Sequence, residues 1–381
     1  MATPLLRDRR GMALPLALFA LVITSAMMMG VFYVGRLEQR MGGGSVRKLQ
    51  AFEAAEACAN RVLDNWVAGN YNNMALGATS TVALDSTGLG GGTSYTASVF
   101  KLSDTKYLVQ SDGQLRFGGG RVAARQRVVR LVGLNLPDIN MRAAVSTRGG
   151  IQVSGSSQIS GNDHVPTGWG SACPAAGPAQ AGIRDSAGAV TTSGACSGAS
   201  CITGSPQIAT DPTLNSTAFT VFGDLTFADL AAMANITTTG GTWNSLAPAV
   251  SGGNCNTSVI TNWGAPLNQA SPCANYFPII YSSGQIRLTG GAGQGILLVN
   301  GDLEISGGVE FFGPVIVMGE VRSTGTGGHI TGGVMARDAN LTISFFAGNS
   351  VVDYSACAVD RALRGSARAK PLSSRGWAQV Y

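Results

Sequence analysis

Residues 285–325 read QIRLTGGAGQGILLVNGDLEISGGVEFFGPVIVMGEVRSTG, and a repeat inside them decides the reading of the carboxy-terminal half. Gln285–Gly290, Asp302–Gly307 and Glu320–Gly325 align, Asn340–Phe345 continues the series, and the starts step by 17, 18 and 20 residues. Between them fall Gly295–Val299, Gly313–Val317 and Gly333–Ala336, stepping by 18 and 20. Two short Gly-bounded strands per step of this size are the spacing of a β-solenoid rung. Inward Ile, Leu and Val then stack on their equivalents one coil away, so each rung buries its neighbour. The phase points Ile305 and Val317 inward and leaves Glu304 outside. Upstream, Gly149–Gly161 (GGIQVSGSSQISG) fits an isolated first rung.

Composition agrees with a β-rich chain full of tight turns. Gly accounts for 53 of 381 residues, about twice ordinary usage, but without the Gly-x-y period of collagen. Only 12% of residues are charged and 45% are hydrophobic, which argues against a largely disordered chain. The net charge of +5 is spread over scattered arginines with no basic stripe and interleaved aromatics, so nucleic acid is not an expected partner.

Between the first rung and the repeat lies an excursion, residues 162–278, that holds five of the seven cysteines. A helix from Phe227 to Ala234, capped by Thr226 with Asp229 three residues on, is expected inside it. The segment is read as unable to build a large core of its own, which makes disulfides its natural staples. The cysteines stand at 58, 173, 196, 201, 255, 273 and 357, with no CxxC pair and no His at zinc spacing, so oxidised pairing outside the cytoplasm is expected. Cys196 with Cys201 would close a short loop and Cys255 with Cys273 a longer one. Cys58, on a helix that should pack on a sheet, is the expected free thiol, leaving Cys357 to pair with one of the excursion cysteines, among which Cys173 also stands. A Cys58–Cys357 clamp is the alternative.

The amino terminus carries Arg7, Arg9 and Arg10, then Gly11, then an uncharged run from Met12 to Val34. At 1.5 Å per residue that run crosses a ~30 Å hydrocarbon core. The preceding arginines predict the amino terminus inside and the body outside. The run is too long for an ordinary signal peptide, and no Ala-x-Ala site closes it. Leu37–Met41 leads to a break expected at Gly42-Gly43-Gly44. Helical periodicity then resumes over Val46–Val67 through Leu49, Phe52, Ala55, Ala59, Val62, Leu63 and Trp66. Three strand candidates follow: Tyr95–Leu102, Lys106–Gln110 with Gln114–Phe117, and Arg121–Leu134. Arg121, Arg125, Arg127 and Arg130 read as the solvated side of the last of these.

Arg10-Gly11-Met12, the apolar run, Glu38-x-Arg40-Met41 and Ala51-Phe52-Glu53-Ala54-Ala55-Glu56-Ala57 together resemble the amino terminus of type IV pilin-like proteins, specifically PilX-type minor pilins. The resemblance covers residues 7 to about 65. It implies cleavage by a prepilin peptidase after Gly11, methylation of the Met12 amine, and packing of the apolar helix with other pilin subunits in a filament core. Most pilins carry Glu at the fifth mature position; here that position is Leu16. A buried carboxylate repays its desolvation only against a neighbour's terminal ammonium. In related systems the subunit lacking it is the tip pseudopilin of type II secretion, so Leu16 implies a tip role. Large minor pilins of this group often carry Gly-rich β-solenoid tails ending in an aromatic residue, as Tyr381 does here.

An enzyme on a solenoid would need clustered carboxylates on neighbouring rungs. Asp302, Glu304, Glu310 and Glu320, with Arg287 and Arg322, occupy rung positions, but they read as an exposed charged ladder. His164 and His329 read as surface or turn residues, and Asn300-Gly301-Asp302 as a turn without an acidic repeat for calcium. No catalytic, cofactor-binding or metal residue is assigned.

The fold expected is therefore α+β. Residues 1–11 are a leader, 12–34 a membrane and polymerisation helix, and 35–136 a helix on an antiparallel meander. Residues 137–161 form the first rung, 162–278 the insertion, and 279–381 the solenoid and tail. The function expected is that of a minor pilin-like subunit of a pilus or secretion pseudopilus, at the tip, in assembly and adhesion. It would sit in the inner membrane, amino terminus in the cytoplasm, before joining a periplasmic or surface filament. Its expected partners are other pilins, the prepilin peptidase, the membrane, and a surface or polysaccharide ligand. A signal-anchored solenoid that binds or degrades polysaccharide is the alternative.

Overall fold

The computed structural model describes residues 13–84, 90, 92–117, 120–339, 345–372 and 376–380. Its first element, α1 (Ala13–Asp64), is one uninterrupted helix of 52 residues. The expected break at residues 42–44 does not occur. Three glycines cost about 1 kcal/mol each against Ala, but the helix is already nucleated on both sides and only propagates through them. Residues 13–46 are exposed except for the half-buried Gly43 and Gly44 and extend for about 50 Å, and Arg47 then lies over the Phe117 ring at 4.7 Å.

The carboxy-terminal third of α1 behaves differently. Ala51, Ala54, Ala55, Cys58, Ala59 and Val62 are buried against an antiparallel sheet of β1 (Thr79–Val82), β2 (Thr93–Lys101), β3 (Lys106–Arg116) and β4 (Val122–Asn135). These small side chains let the helix approach closely, and Ser111 Oγ donates 2.7 Å to Ala55 O. The four-residue α2 (Ala68–Tyr71) follows α1. The arginine row is not simply solvated. Arg125 and Arg127 both pair with Asp112 at 3.2 and 2.9 Å, and Arg130 lies under α1 against Glu56 at 2.9 Å.

Beyond Asn135 the strands run parallel in a stack with three faces. One face joins Gly291–Gln294, the start of Val309–Val317, the start of His329–Ala336, Val351–Tyr354, Gln158–Ser160 and Ile202–Thr203. The second joins Ile236–Thr238, Ile279–Ser282, Ile296–Val299, the ends of Val309–Val317 and His329–Ala336, Ala143–Thr147, Ala181–Asp185 and Ile208–Thr210. The third joins Gly241–Trp243, Ile286–Leu288, Leu303–Ser306, Val321–Thr324, Phe345–Phe346, Ile151–Val153 and Val190–Thr192.

A turn thus has three strand segments rather than the two expected, because Val309–Val317 and His329–Ala336 each bend across a corner. The corner is a column of glycines, Gly295, Gly313 and Gly332, all at positive φ. A Cβ on Gly313 would come within 2.1 Å of Gly295 O, and one on Gly332 within 2.4 Å of Gly313 O, so only Gly fits.

The chain order along the stack also departs from expectation. Residues 236–354 build one end and finish against residues 143–160, which start the other end. Gly149–Gly161 is therefore an interior turn with neighbours on both sides, since an isolated parallel strand would leave its backbone groups unpaired. Residues 162–278 likewise supply strands at both ends of the stack and do not form a separate excursion. The register of the last repeat differs too. Arg322 pairs with Phe345, where the sequence alignment would place Thr342, which lies outside the described residues with the rest of 340–344.

Burial follows the strand patterns. Leu297, Val299, Val315, Val317 and Ile305 point into the stack. Ile296, Leu298, Ile316 and Met318 point out of the second face, under Trp169, Phe219, Phe222, Phe277 and two helices, α3 (Phe227–Ala232) and α4 (Ala356–Ser366). A strand buried on both sides reads as continuous apolar sequence, which is why this face spells ILLV and PVIV. The 162–278 segment thus supplies much of a second core, contrary to expectation. Thr226 caps α3 in a capping box with Asp229, and the helix ends at Ala232.

The carboxy terminus is not a displayed tail. After α4 the chain returns to the first sheet, where Arg368–Pro371 and Trp377–Val380 both pair with β4. Phe52 of α1 meets Trp377 edge-on at 5.8 Å. The first sheet is therefore completed by carboxy-terminal strands, one of which also packs on α1 through Trp377.

Candidate functional site: the projecting helix and the joint at its base

The feature that distinguishes this molecule is a helix half of which has no partner. Leu14, Leu16, Phe19, Met29 and Phe32 are exposed on it, Leu16 at 68%. The helix is long and apolar enough to cross a membrane. Twenty-two consecutive exposed, uncharged and mainly apolar residues, 13–34, cost too much in water to stand alone, so this segment requires a lipid or protein environment. Gly11 and Met12, the expected processing residues, lie outside the described residues.

The base of the helix is tied to the stack through Asn72, which is 2% exposed. Its Oδ1 accepts from Trp66 Nε1 at 2.7 Å, and its Nδ2 donates to Arg364 O and Ala367 O of the α4 end at 2.5 and 2.9 Å. Its backbone oxygen accepts from Lys101 Nζ at 2.8 Å and Tyr107 Oη at 3.1 Å. Burial lowers the Lys101 pKa and pushes the Tyr107 phenol up to about 12. Arg364 adds ion pairs to Asp360 at 2.8 Å and Asp104 at 3.4 Å. The joint is a satisfied polar network that fixes geometry and offers no reactive group. No periodic signal in the sequence marks Asn72 or Lys101, because their partners lie on several separate elements.

The charged positions of the stack pair off. Arg287, Glu304 and Arg322 stand in register on successive turns, with Arg287 3.4 Å from Glu304 and Arg322 3.3 Å from Glu320. Carboxylates thus alternate with arginines along this column and do not meet each other. Asn300-Gly301-Asp302 is a bend between two strands, and Asp302 Oδ1 accepts from Glu320 N of the next coil at 2.9 Å. His329 lies beside Glu310 in register and meets Asp353 Oδ2 at 2.9 Å, which raises its pKa. His164 is exposed. Among the described residues no cluster of His, Cys, Asp and Glu is arranged to hold a metal.

Three cysteine pairs are bonded: Cys173–Cys357, Cys196–Cys201 and Cys255–Cys273. The first fastens residues near Trp169 to the amino-terminal end of α4, opposite the end from which the chain returns to the first sheet. Cys58 is buried on α1, and burial pushes its thiol up to about 12. It packs with Val62, Val99, Val109 and Val132 as a small apolar side chain.

No model of a known protein family matches the sequence, and no curated protein matches it. Among solved structures, the competence-associated pilin ComZ from Thermus thermophilus is similar at 11% identity and a TM-score of 0.26, over 88% of this chain and 97% of that chain.

Proposed function

We propose that the chain is a minor pilin-like subunit, cleaved after Gly11 and methylated at Met12, that sits at the tip of a type IV pilus or a related pseudopilus. The observation that carries this reading is the division of α1. Residues 13–34 are exposed and apolar, while Ala51, Ala54, Ala55, Cys58, Ala59 and Val62 are buried against a sheet that two carboxy-terminal strands extend. Such a subunit can join its neighbours by the helix alone while its folded body stays outside the membrane. We read the three-faced parallel stack as a β-solenoid carried on that body and turned outward for adhesion. The disulfides fit an oxidising compartment, with the amino terminus cytoplasmic before assembly. Leu16 supports the tip position, since a subunit with nothing above it has no terminal ammonium for a carboxylate to meet.

Antibody against the stack, gold-labelled and viewed on filaments, tests the position. Label at filament ends supports the reading, and label spread along the shaft removes the tip assignment. Leu16→Glu gives no gain in assembly if the tip position is right. The polysaccharide-degrading alternative gains nothing from the column in which Glu304 lies between two arginines.

A further inference from the structure

The outer side of the stack's first face carries a groove that the reading above does not use. Its volume is about 510 Å³, and it lies over Gln158–Ser160, between Val351–Tyr354 on one side and Ile202–Thr203 on the other. Ile159 points into the stack, so strand alternation turns Gln158 and Ser160 outward. Ser160 is in register with Asp353 on one neighbour and Thr203 on the other. A carboxylate and two hydroxyls therefore stand on three successive turns, ~4.8 Å apart. His329 holds the carboxylate from the side at 2.9 Å. Cys196–Cys201 closes the loop that forms the far wall, so that wall is set before a ligand arrives.

Ser157 lies beneath the groove but is 1% exposed and stands, by the same alternation, on the Ile159 side of the strand, so its hydroxyl belongs to the stack interior and the outward row is Gln158, Ser160, Thr203 and Asp353.

The lining defines the chemistry of what would fit. It mixes donors with acceptors, holds one carboxylate, and among the described residues includes no Lys, Arg or aromatic side chain. An anion would meet the Asp353 carboxylate, and the basic group beside it, His329, is already paired with that carboxylate. A flat aromatic ligand would find nothing to stack on. A chain of hydroxyl-bearing rings satisfies the row, since hydroxyls both donate and accept, and one strand spacing is close to the length of one sugar unit. The geometry points to a binding site for a neutral oligosaccharide, lying along the stack across Asp353, Ser160 and Thr203, with the outward Gln158 beside it. Display of the stack at a filament tip would give this site its setting, but binding itself does not depend on that.

The test uses the full chain in a detergent without a sugar headgroup, titrated with maltohexaose, cellohexaose, chitohexaose and, as an anionic probe, a galacturonic acid hexamer. At least one neutral hexamer is expected to bind in isothermal calorimetry or ligand-observed NMR. Gln158→Ala with Thr203→Ala should weaken binding by about tenfold or more, the loss of two hydrogen bonds. Ser160→Ala should also weaken binding while leaving the melting temperature unchanged, which separates a ligand contact from a folding defect. Absence of binding by all three neutral hexamers, binding of the anionic probe alone, or full affinity in both sets of folded variants would overturn the assignment. None of these outcomes touches the processing of the amino terminus, so the filament reading stands or falls separately.

Discussion

Gly113 of β3 lies directly beneath the α1 backbone, where a Cβ would stand 2.0 Å from Ala51 O and 2.5 Å from Ala55 N. The contact explains the alanine-rich stripe on one side of the helix and the glycine on the other, since a larger residue at either place would lift the helix off the sheet. Gly113→Ala should therefore destabilise the protein by ~3 kcal/mol or more, at the upper end of overpacking costs because the clash is with backbone. Gly42→Ala, where nothing lies within 4 Å of the new methyl, should instead strengthen the helix by about 1 kcal/mol. Chemical denaturation of the two variants checks both signs, and equal tolerance would mean that α1 is not seated on β3.

The phase of the stack is tested at adjacent residues. Ile305 is 1% exposed inside the stack, and Val317 on the second face is fully buried. Ile305→Asp or Val317→Asp buries a charge without a partner and should unfold the stack, visible as a lost or much lowered thermal transition. Glu304 neighbours Ile305 on the outward side of the same strand, 3.4 Å from the half-exposed Arg287, so Glu304→Ala should cost under about 1 kcal/mol.

His329 gives the stack a small pH dependence. Its pKa is raised above 6.5, chiefly by the hydrogen bond to Asp353, with the Asp353 and Glu310 charges adding to it and burial opposing it. A raised folded-state pKa contributes stability that is fully present below 6.5 and lost as pH rises through the raised value. Because the ring is partly exposed, the contribution should stay under about 1 kcal/mol. Wild type should lose that increment on the alkaline side of 6.5, relative to His329→Gln, in melts across pH. A gain there would contradict the pairing.

The cysteines make a chemical prediction. Non-reducing peptide mapping should recover Cys173–Cys357, Cys196–Cys201 and Cys255–Cys273, with Cys58 alkylated only after unfolding. Its burial and its raised pKa both suppress the thiolate that alkylating reagents attack. A Cys58–Cys357 crosslink would contradict the arrangement.

Much of this was legible in the sequence because local patterns carried it. The apolar run, the small-residue stripe after it and the Gly-bounded repeat each state a periodicity, and Arg287, Glu304 and Arg322 align by counting alone. What escaped was non-local. That His329–Ala336 pairs with Ala143–Thr147 leaves no trace in either segment, so an interior turn read as an isolated one. The four-residue strands Arg368–Pro371 and Trp377–Val380 are too short for alternation to show, and their return to β4 was missed. Gly42–Gly44 read as a break because local propensity was weighed without the long helix on either side. Asn72 escaped for a different reason: a single polar residue becomes a hub only when four elements converge on it.

The central claim is that α1 is a processed assembly helix, and the mass of the amino-terminal peptide of the mature protein, purified from membranes, tests it most directly. The account predicts a chain beginning at Met12 with a methylated amine. A chain beginning near residue 35, after the apolar run, would contradict it.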